Sequence, residues 1–526
     1  MKLMPTLEWI GKNKVINHHQ EVPFRVLDRK YSFDEHGQHI EDNGSENMII
    51  QGDNLEALKA LLPRYENRIK CIYIDPPYNT GNEGWVYNDS VNDPRIKKWL
   101  GEVVGKEGED LTRHDKWLCM MYPRLKLLQK LLSDDGVIFI SIDDNEQSNL
   151  KLICDEIIGN QNFIATFVWK SRAKPSNTGN AKYKPQKDAE YILCYKKSKA
   201  PSFMSVKSGK SRSYPHHDKD GNYRLQTILK SNRGESKRET MCFSLNGYTP
   251  PTTKRWQAGE DKIKDLFNKN RITFETGEPM LKYYEHEECA EISPFWCHIP
   301  KEISGTAESG KNLLNNILGN QHGFDTVKPL EIIEYILSHS MDKNDIVLDS
   351  FAGSGTTAHA ILNMNKADSG TRKFIIIEMM EYANNISAER VKKIIKGYGE
   401  GNNAVEGTGG NFSFYSLGEP LLIGDNLNEA VPPKKIREYI WFMETKKTYT
   451  PPIEGNPYYL GKHNDSSYYF YYERKNVTVL DYAFLATITD KANSTIIYAD
   501  RCSISEENLS QMNIVFKKIP RDITRL

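Results

Sequence analysis

Apolar positions along this chain fall into two rhythms that take turns. In "NMIIQGDNLEALKALLP" (47–63) a short apolar run ends at Asp53, and leucines then recur at 55, 58, 61 and 62. The first rhythm predicts a strand, the second a helix with one apolar side, capped at its start by Asp53 or Asn54. "IKCIYIDPPY" (69–78) has no polar alternation, as expected of a strand buried on both faces. Next, "KWLCMMYPRLKLLQKLL" is helix-periodic, "SDDG" turns, and "VIFISIDD" is another apolar strand that ends in acids. Strand and helix alternate, which predicts a parallel α/β sheet. Such sheets bind ligands beyond the carboxyl ends of their strands, where Asp53, Asp75 and Asp143 are expected.

The pattern returns late. "DKNDIVLDSFAGSGTTAHAILNMNK" (342–366) reads as strand, Gly-rich turn and helix. Gly353 and Gly355 permit a tight turn, and Thr356 or Thr357 opens a helix whose free N–H groups face a ligand. "RKFIIIEMM" then forms a strand ending in Glu378, the residue type and place for a carboxylate that grips ribose hydroxyls. In nucleotide-binding sheets the Gly-rich strand usually comes first; here it arrives after more than 300 residues. A circularly permuted sheet, with about a hundred residues inserted between its halves, accounts for that order.

Composition narrows the setting. A chain of 526 residues is expected to form about two to four domains. Its eight cysteines are scattered without a paired framework, as in a reducing cytoplasmic protein. No apolar run approaches the roughly 18 residues of a membrane span, and "MKLMPTLEWIGKNK" lacks a signal-peptide core, so no membrane role is expected. Net charge is zero, yet from Lys170 to Arg271 about 24 Lys and Arg stand against about 9 Asp and Glu. That block suggests a phosphate-facing surface. "HEEC" (286–289) and "CH" (297–298) have too loose a spacing for a zinc site, and no metal is expected.

The ordered pair "DPPY" (75–78) and "FAGSG" (351–355) resembles the permuted β class of S-adenosylmethionine-dependent amino methyltransferases that act on DNA. The fuller run "YIDPPYNTGNEGWVYND", with "EWIGK" and "NHHQEVPFRVL" upstream, resembles the methylation (Mod) subunit of type III restriction–modification systems. The resemblance covers roughly residues 1–420 and implies an α/β fold, a circularly permuted Rossmann-like methyltransferase sheet. Its expected parts are an N-terminal extension (1–46), a catalytic half (47–196), an inserted target-recognition domain (197–305), a cofactor-binding half (306–420) and a small C-terminal domain (421–526). The basic insert, with stretches such as "NYRLQTILKSNRGESKRE", supplies Arg, Asn, Gln and Tyr for phosphates and base edges.

The implied reaction is methylation of N6 of an adenine flipped out of double-stranded DNA, with S-adenosylmethionine as cofactor. Adenine N6 is a poor nucleophile because its lone pair is delocalised into the ring. The Asp75 carboxylate and the Pro76 carbonyl would hold its two N–H groups, Pro77 would stiffen the loop, and Tyr78 would stack on the base. By resemblance, Asp349, Phe351, Gly353 and Gly355 surround the methionine part of the cofactor, with Thr356 at the helix start. Glu378 takes its ribose, Asp53 lies against its adenine, and Lys328 and Pro329 occupy the family's helix start just before the Gly-rich strand. Asp75 favours adenine over N4 of cytosine, whose enzymes more often carry Ser there; the related NPPY enzymes that methylate protein glutamine carry Asn. RNA adenine fits a basic duplex-reading insert less well. The alternatives are an N4-cytosine methyltransferase and a catalytically inactive specificity subunit that guides a nuclease. Double-stranded DNA, a second copy of the chain and a restriction (Res) subunit are the partners implied.

Overall fold

A computed structural model describes residues 6–521 apart from 81–93, 105–111, 176, 178, 202, 205, 208–212, 234–236, 288–291, 325, 453–454 and 490–491. The later part of the "NTGNEGWVYND" run and Cys289 of "HEEC" therefore lie outside the described residues. Contacts separate the chain into two units, residues 205–295 and the remainder.

The large unit is built on eleven strands. In chain order they are β1 (Arg25–Asp34), β2 (Gly37–His39), β3 (Met48–Gln51), β4 (Ile69–Ile74), β5 (Leu132–Ile142), β6 (Phe163–Trp169), β7 (Glu190–Lys196), β8 (His298–Ile299), β9 (Ile346–Asp349), β10 (Lys373–Glu378) and β11 (Asn411–Pro420). Their order across the sheet is β8-β6-β7-β5-β4-β9-β10-β3-β11-β1-β2. Strands β5, β4, β9, β10, β3 and β11 run parallel, while β7 and β1 run against their neighbours. The two late strands, β9 and β10, enter between β4 and β3, so the permutation inferred from chain order is the arrangement the sheet adopts.

Burial follows from composition. The unbroken apolar strands β4, β9 and β10 are buried almost throughout, since helices cover both faces of a parallel sheet. Helix α1 (Asn54–Tyr65) buries Leu55, Leu58, Leu61 and Leu62; helix α2 (Arg113–Leu131) starts in a capping box between Thr112 and Asp115. Helix α3 (Leu330–Ser340) leads into β9, and α4 (Thr356–Asp368) joins β9 to β10 as a βαβ crossover. Helix α5 (Glu389–Lys396) follows β10 and buries Arg390, Val391, Ile394 and Ile395.

Three boundaries differ from the sequence-based expectation. Residues 25–34, assigned to an N-terminal extension, form β1, which pairs with β11 across the sheet. The expected insert, 197–305, is trimmed at both ends, because Trp296 onward returns to the large unit and β8 pairs with β6. The segment from 421 carries its own four-stranded sheet (459–463, 466–470, 494–499, 514–518) and the helix Pro433–Thr445, but groups with the large unit. Its Glu438 accepts bonds from Arg64 of α1, a cross-link between elements 374 residues apart.

The small unit, taken by itself, centres on a four-stranded antiparallel sheet (272–273, 280–284, 221–227, 216–218). Trp256, Ile263, Ile228 and Leu281 form its core. Several of its cations are paired locally: Lys282 lies 2.7 Å from Asp218 and Arg271 2.6 Å from Glu287. Lys230, Arg233, Lys237 and Arg238 are exposed.

Candidate active site at the carboxyl ends of the strands

Because β4, β9, β10 and β3 are parallel neighbours, the residues that follow them meet along one edge. Register places Asp349 level with Ile376 and Glu378 level with Gln51. Asp349 and Glu378 therefore end, and Asp75 and Asp53 follow, four adjacent strands, and the two motifs that are 276 positions apart in the chain (75 and 351) sit side by side.

The DPPY loop is held from behind. Trp117 of α2, fully buried, donates its indole N–H to the Pro77 carbonyl at 2.7 Å. Asn79 takes a left-handed backbone, φ 57°, a conformation Asn tolerates better than most residues. Its amide is anchored to the Arg113 carbonyl and to Glu146, a fully buried carboxylate that also binds His114 and Asn149. No hydrogen bond is made to the Pro76 carbonyl among the described residues. Two rigid prolines and these anchors aim that carbonyl.

Around Asp75 the charges are closely arranged. Lys328 Nζ lies 3.1 Å from Asp75 Oδ1 and 3.0 Å from Glu190 Oε2, and 2.6 Å from the Tyr78 hydroxyl. That hydroxyl donates to Glu190 at 2.9 Å, and the rings of Tyr78 and Trp169 flank the ammonium at 4.8 and 5.4 Å. The Lys328–Asp75 contact is an ion pair without hydrogen-bond alignment, so Asp75 Oδ1 is a buried oxygen with no aligned donor among the described residues. Burial pushes the Asp75 carboxyl above its ordinary range, opposed by Lys328. Burial works against the Lys328 charge, but the Asp75 and Glu190 carboxylates outweigh it and hold the proton more tightly than usual.

The Gly-rich turn is equally organised. Gly353 and Gly355 have φ of 53° and 78°, a backbone conformation that side-chain-bearing residues rarely adopt. Asp349 accepts from the Thr357 hydroxyl at 2.6 Å and the Phe351 N–H at 3.0 Å, and burial pushes its carboxyl up to about 7. Glu378 accepts from the N–H groups of Gly353 and Met380, at 3.0 and 3.1 Å. The Ser350 hydroxyl is buried with no hydrogen-bond partner among the described residues. Under the turn lies Arg390, fully buried, binding the Ser354 and Thr356 hydroxyls at 3.0 and 2.8 Å and His359 at 3.2 Å. Two buried carboxylates, a glycine cradle and an orphaned hydroxyl fit a ligand that brings its own donors, such as the ammonium and ribose hydroxyls of S-adenosylmethionine.

Not every expected cofactor residue faces an open side. Asp53 caps α1, accepting from the Leu55 and Glu56 N–H groups at 2.9 and 3.2 Å, and its other oxygen meets Arg124 at 3.3 Å. The Thr356 hydroxyl is taken up by Arg390 and the Lys328 carbonyl. Pro329 is the N-cap of α3, and Phe351 is half-buried against the core. Lys328 lies against Asp75, on the DPPY side of the site. Glu190, Trp117, Glu146 and Arg390 were not singled out in the sequence. Glu190 is the instructive case: it starts a strand, and only because β7 is antiparallel does its first residue lie at the edge where the parallel strands end, one position beyond the Tyr191–Ile142 pair.

The sheet order, with its late Gly-rich strand in the middle and DPPY beside it, defines a circularly permuted methyltransferase-type α/β fold. The N6/N4 DNA methylase family model matches residues 69–389, and the chain belongs to that family. The Mod subunit of the type III restriction-modification enzyme StyLTI, from Salmonella typhimurium, is 34% identical over 369 residues, which is 65% of this chain and 54% of the relative. The type II methyltransferase M.KpnI of Klebsiella pneumoniae is 30% identical over 64% of this chain and 81% of its own. The chain spans 54 to 64% of the length of the first three type III relatives it matches. Among solved structures, the PvuII DNA methyltransferase (cytosine-N4-specific) aligns over 66% of this chain and 86% of its own, at 15% identity and a TM-score of 0.35, which adds nothing to what the topology shows. No helix among the described residues is long and apolar enough to cross a membrane, and no cluster of three or more His, Cys, Asp or Glu among them is placed to hold a metal.

Proposed function

We propose that this protein methylates N6 of a flipped-out adenine in double-stranded DNA, as the modification subunit of a type III restriction–modification system. The observation that carries the reading is the buried Asp75 Oδ1 beside the Pro76 carbonyl, two acceptors that take no aligned hydrogen bond among the described residues and lie next to the Gly-rich turn. Two acceptors are what an amino group with two N–H bonds requires.

Asp349, Phe351, Gly353, Gly355 and Glu378 would hold S-adenosylmethionine. When bound, it supplies a methyl carbon on a positively charged sulfur, which keeps the bonding pair and leaves as a neutral thioether. Asp75 and Pro76 accept the two N6–H bonds and draw the nitrogen toward a tetrahedral geometry, freeing its lone pair to form the new N–C bond. The methylated nitrogen then carries one proton too many. Asp75, whose burial raises its proton affinity, accepts it and passes it to water. Tyr78 offers a ring for the base to stack on. The exposed cations of the small unit would contact phosphates.

Its likeness to Mod subunits of type III restriction–modification enzymes supports assembly with a Res subunit; we assign a homodimer from the motif resemblance and a cytoplasmic setting from the scattered, unpaired cysteines. Single-molecule sequencing of DNA from a methylation-free bacterium expressing the chain tests the reading. N6-methyladenine at one recurring motif, lost with Asp75→Ala, is expected; N4-methylcytosine, or a mark that survives Asp75→Ala, refutes it.

A further inference from the structure

Three observations around Lys328 belong together. Its ammonium is buried yet lies on the DPPY side of the site, 3.1 Å from Asp75 Oδ1. It is pinned from behind by Glu190 and by the Tyr78 hydroxyl. The Asp75 oxygen it meets has no aligned donor among the described residues, and Lys328 commits two of its three N–H bonds to Glu190 and Tyr78, which leaves one. A donor and an acceptor thus stand next to each other, 3.1 Å apart.

The edges of the bases give this order meaning. Adenine places the N6 amino donor beside the N1 acceptor, as cytosine places N4 beside N3; guanine and thymine place a carbonyl acceptor beside a ring N–H donor. A site with a carboxylate acceptor next to an ammonium donor complements the first order and opposes the second.

We propose that Lys328 donates a hydrogen bond to N1 of the flipped adenine while Asp75 accepts from N6, and that Glu190 is the positioning residue that holds Lys328 for this. Lys328 then reads the target base and is not a cofactor ligand. The inference rests on the adenine reading above. It explains why a lysine beside the Gly-rich strand points at DPPY, and why two carboxylates converge on it: Asp75 is then free to engage the base, and Glu190 keeps the ammonium compensated. It also gives Tyr78 a second task, since its hydroxyl fixes Lys328. A hydrogen bond at N1 draws electron density away from N6. Its effect is therefore expected in selection and placement of the base, with little gain in the intrinsic reactivity of the nitrogen.

The test uses the full chain and a duplex carrying its target motif, with the target base as adenine or as 1-deazaadenine, which lacks only the N1 acceptor. Wild type is expected to lose about 10- to 100-fold in kcat/KM on the analogue, the range for a hydrogen bond to a charged group. Lys328→Met is expected to act on both substrates with equal kcat/KM, near the wild-type value on the analogue, and to bind S-adenosylhomocysteine within about twofold of wild type. Glu190→Gln, which keeps Lys328 but loosens it, is expected to show intermediate discrimination. This cycle isolates the Lys328–N1 term from general damage. Full wild-type discrimination retained by Lys328→Met overturns the proposal. So does loss of S-adenosylhomocysteine binding in that variant with discrimination unchanged in Glu190→Gln, because Lys328 would then serve the cofactor or the fold. If wild type marks no adenine at all, it is the adenine reading that fails, and this inference falls with it.

Discussion

Replacing Asp75 separates binding from chemistry most cleanly. Asp75→Ala removes a buried acceptor whose Oδ1 has no aligned donor among the described residues, so what is lost within the protein is chiefly its ion pair with Lys328. Lys328 keeps Glu190 at 3.0 Å and Tyr78 at 2.6 Å, so its charge stays compensated, and the folding loss is expected at about 1–2 kcal/mol, below the about 3–5 kcal/mol for stranding a buried ion. In the reaction the same acceptor holds an N6–H bond that strengthens as the nitrogen becomes tetrahedral. Loss of one such preorganised partner lowers kcat about 10²- to 10³-fold, or about 2.7–4 kcal/mol. The Gly-rich turn, Asp349 and Glu378 are untouched, so the dissociation constant for S-adenosylhomocysteine is expected within about threefold of wild type. Methyl transfer to duplex DNA under single-turnover conditions gives the first number, and calorimetric titration the second. A variant with kcat within tenfold of wild type, or one whose cofactor affinity falls in parallel with its rate, would refute the reasoning.

Other outcomes follow from the same geometry. Burial raises the Asp349 carboxyl to about 7 from an unfolded value near 4, so ionising it costs the folded state as pH rises. That cost, up to about 4 kcal/mol, is absent below about pH 4 and complete above about pH 7. Relative to Asp349→Asn, the wild type is expected to lose stability between about pH 4 and pH 7 in urea titrations; a pH-independent difference contradicts it. Trp117→Phe removes the indole bond to the Pro77 carbonyl and is expected to cost about 1–2 kcal/mol of stability and to lower kcat more than cofactor affinity. Arg233, Lys237 and Arg238 changed together to Ala are expected to reduce the slope of log affinity against log salt by about 0.9 for each phosphate no longer neutralised, with the methylated motif unchanged. An unchanged slope in filter-binding or anisotropy titrations excludes these side chains from the phosphate-binding surface.

Much of the site's skeleton was legible in the residues. The apolar strands, the acids that end them and the glycines of the turn are local features, and each appears where its local pattern places it. Even the permutation could be read, because the order of strand types along the chain is itself a one-dimensional fact. Roles that depend on a third element were not legible. The cap that Asp53 places on α1 was legible, but its second oxygen's contact with Arg124 was not, nor was the bond from Arg390 that takes up the Thr356 hydroxyl.

The sequence by itself determined which residues carry the chemistry of the two loops, because Asp75, the prolines and the glycines act through bonds and backbone angles that travel with the chain. Only the tertiary structure decided what surrounds them. Lys328 and Glu190 are 138 positions apart, and they meet at Asp75 because β7 runs antiparallel beside β5 while the segment before α3 returns to the DPPY side. Trp117 reaches Pro77 because α2 packs on the sheet. Strand direction and helix packing are set by burying apolar surface across the whole unit, and no local window of sequence contains that sum.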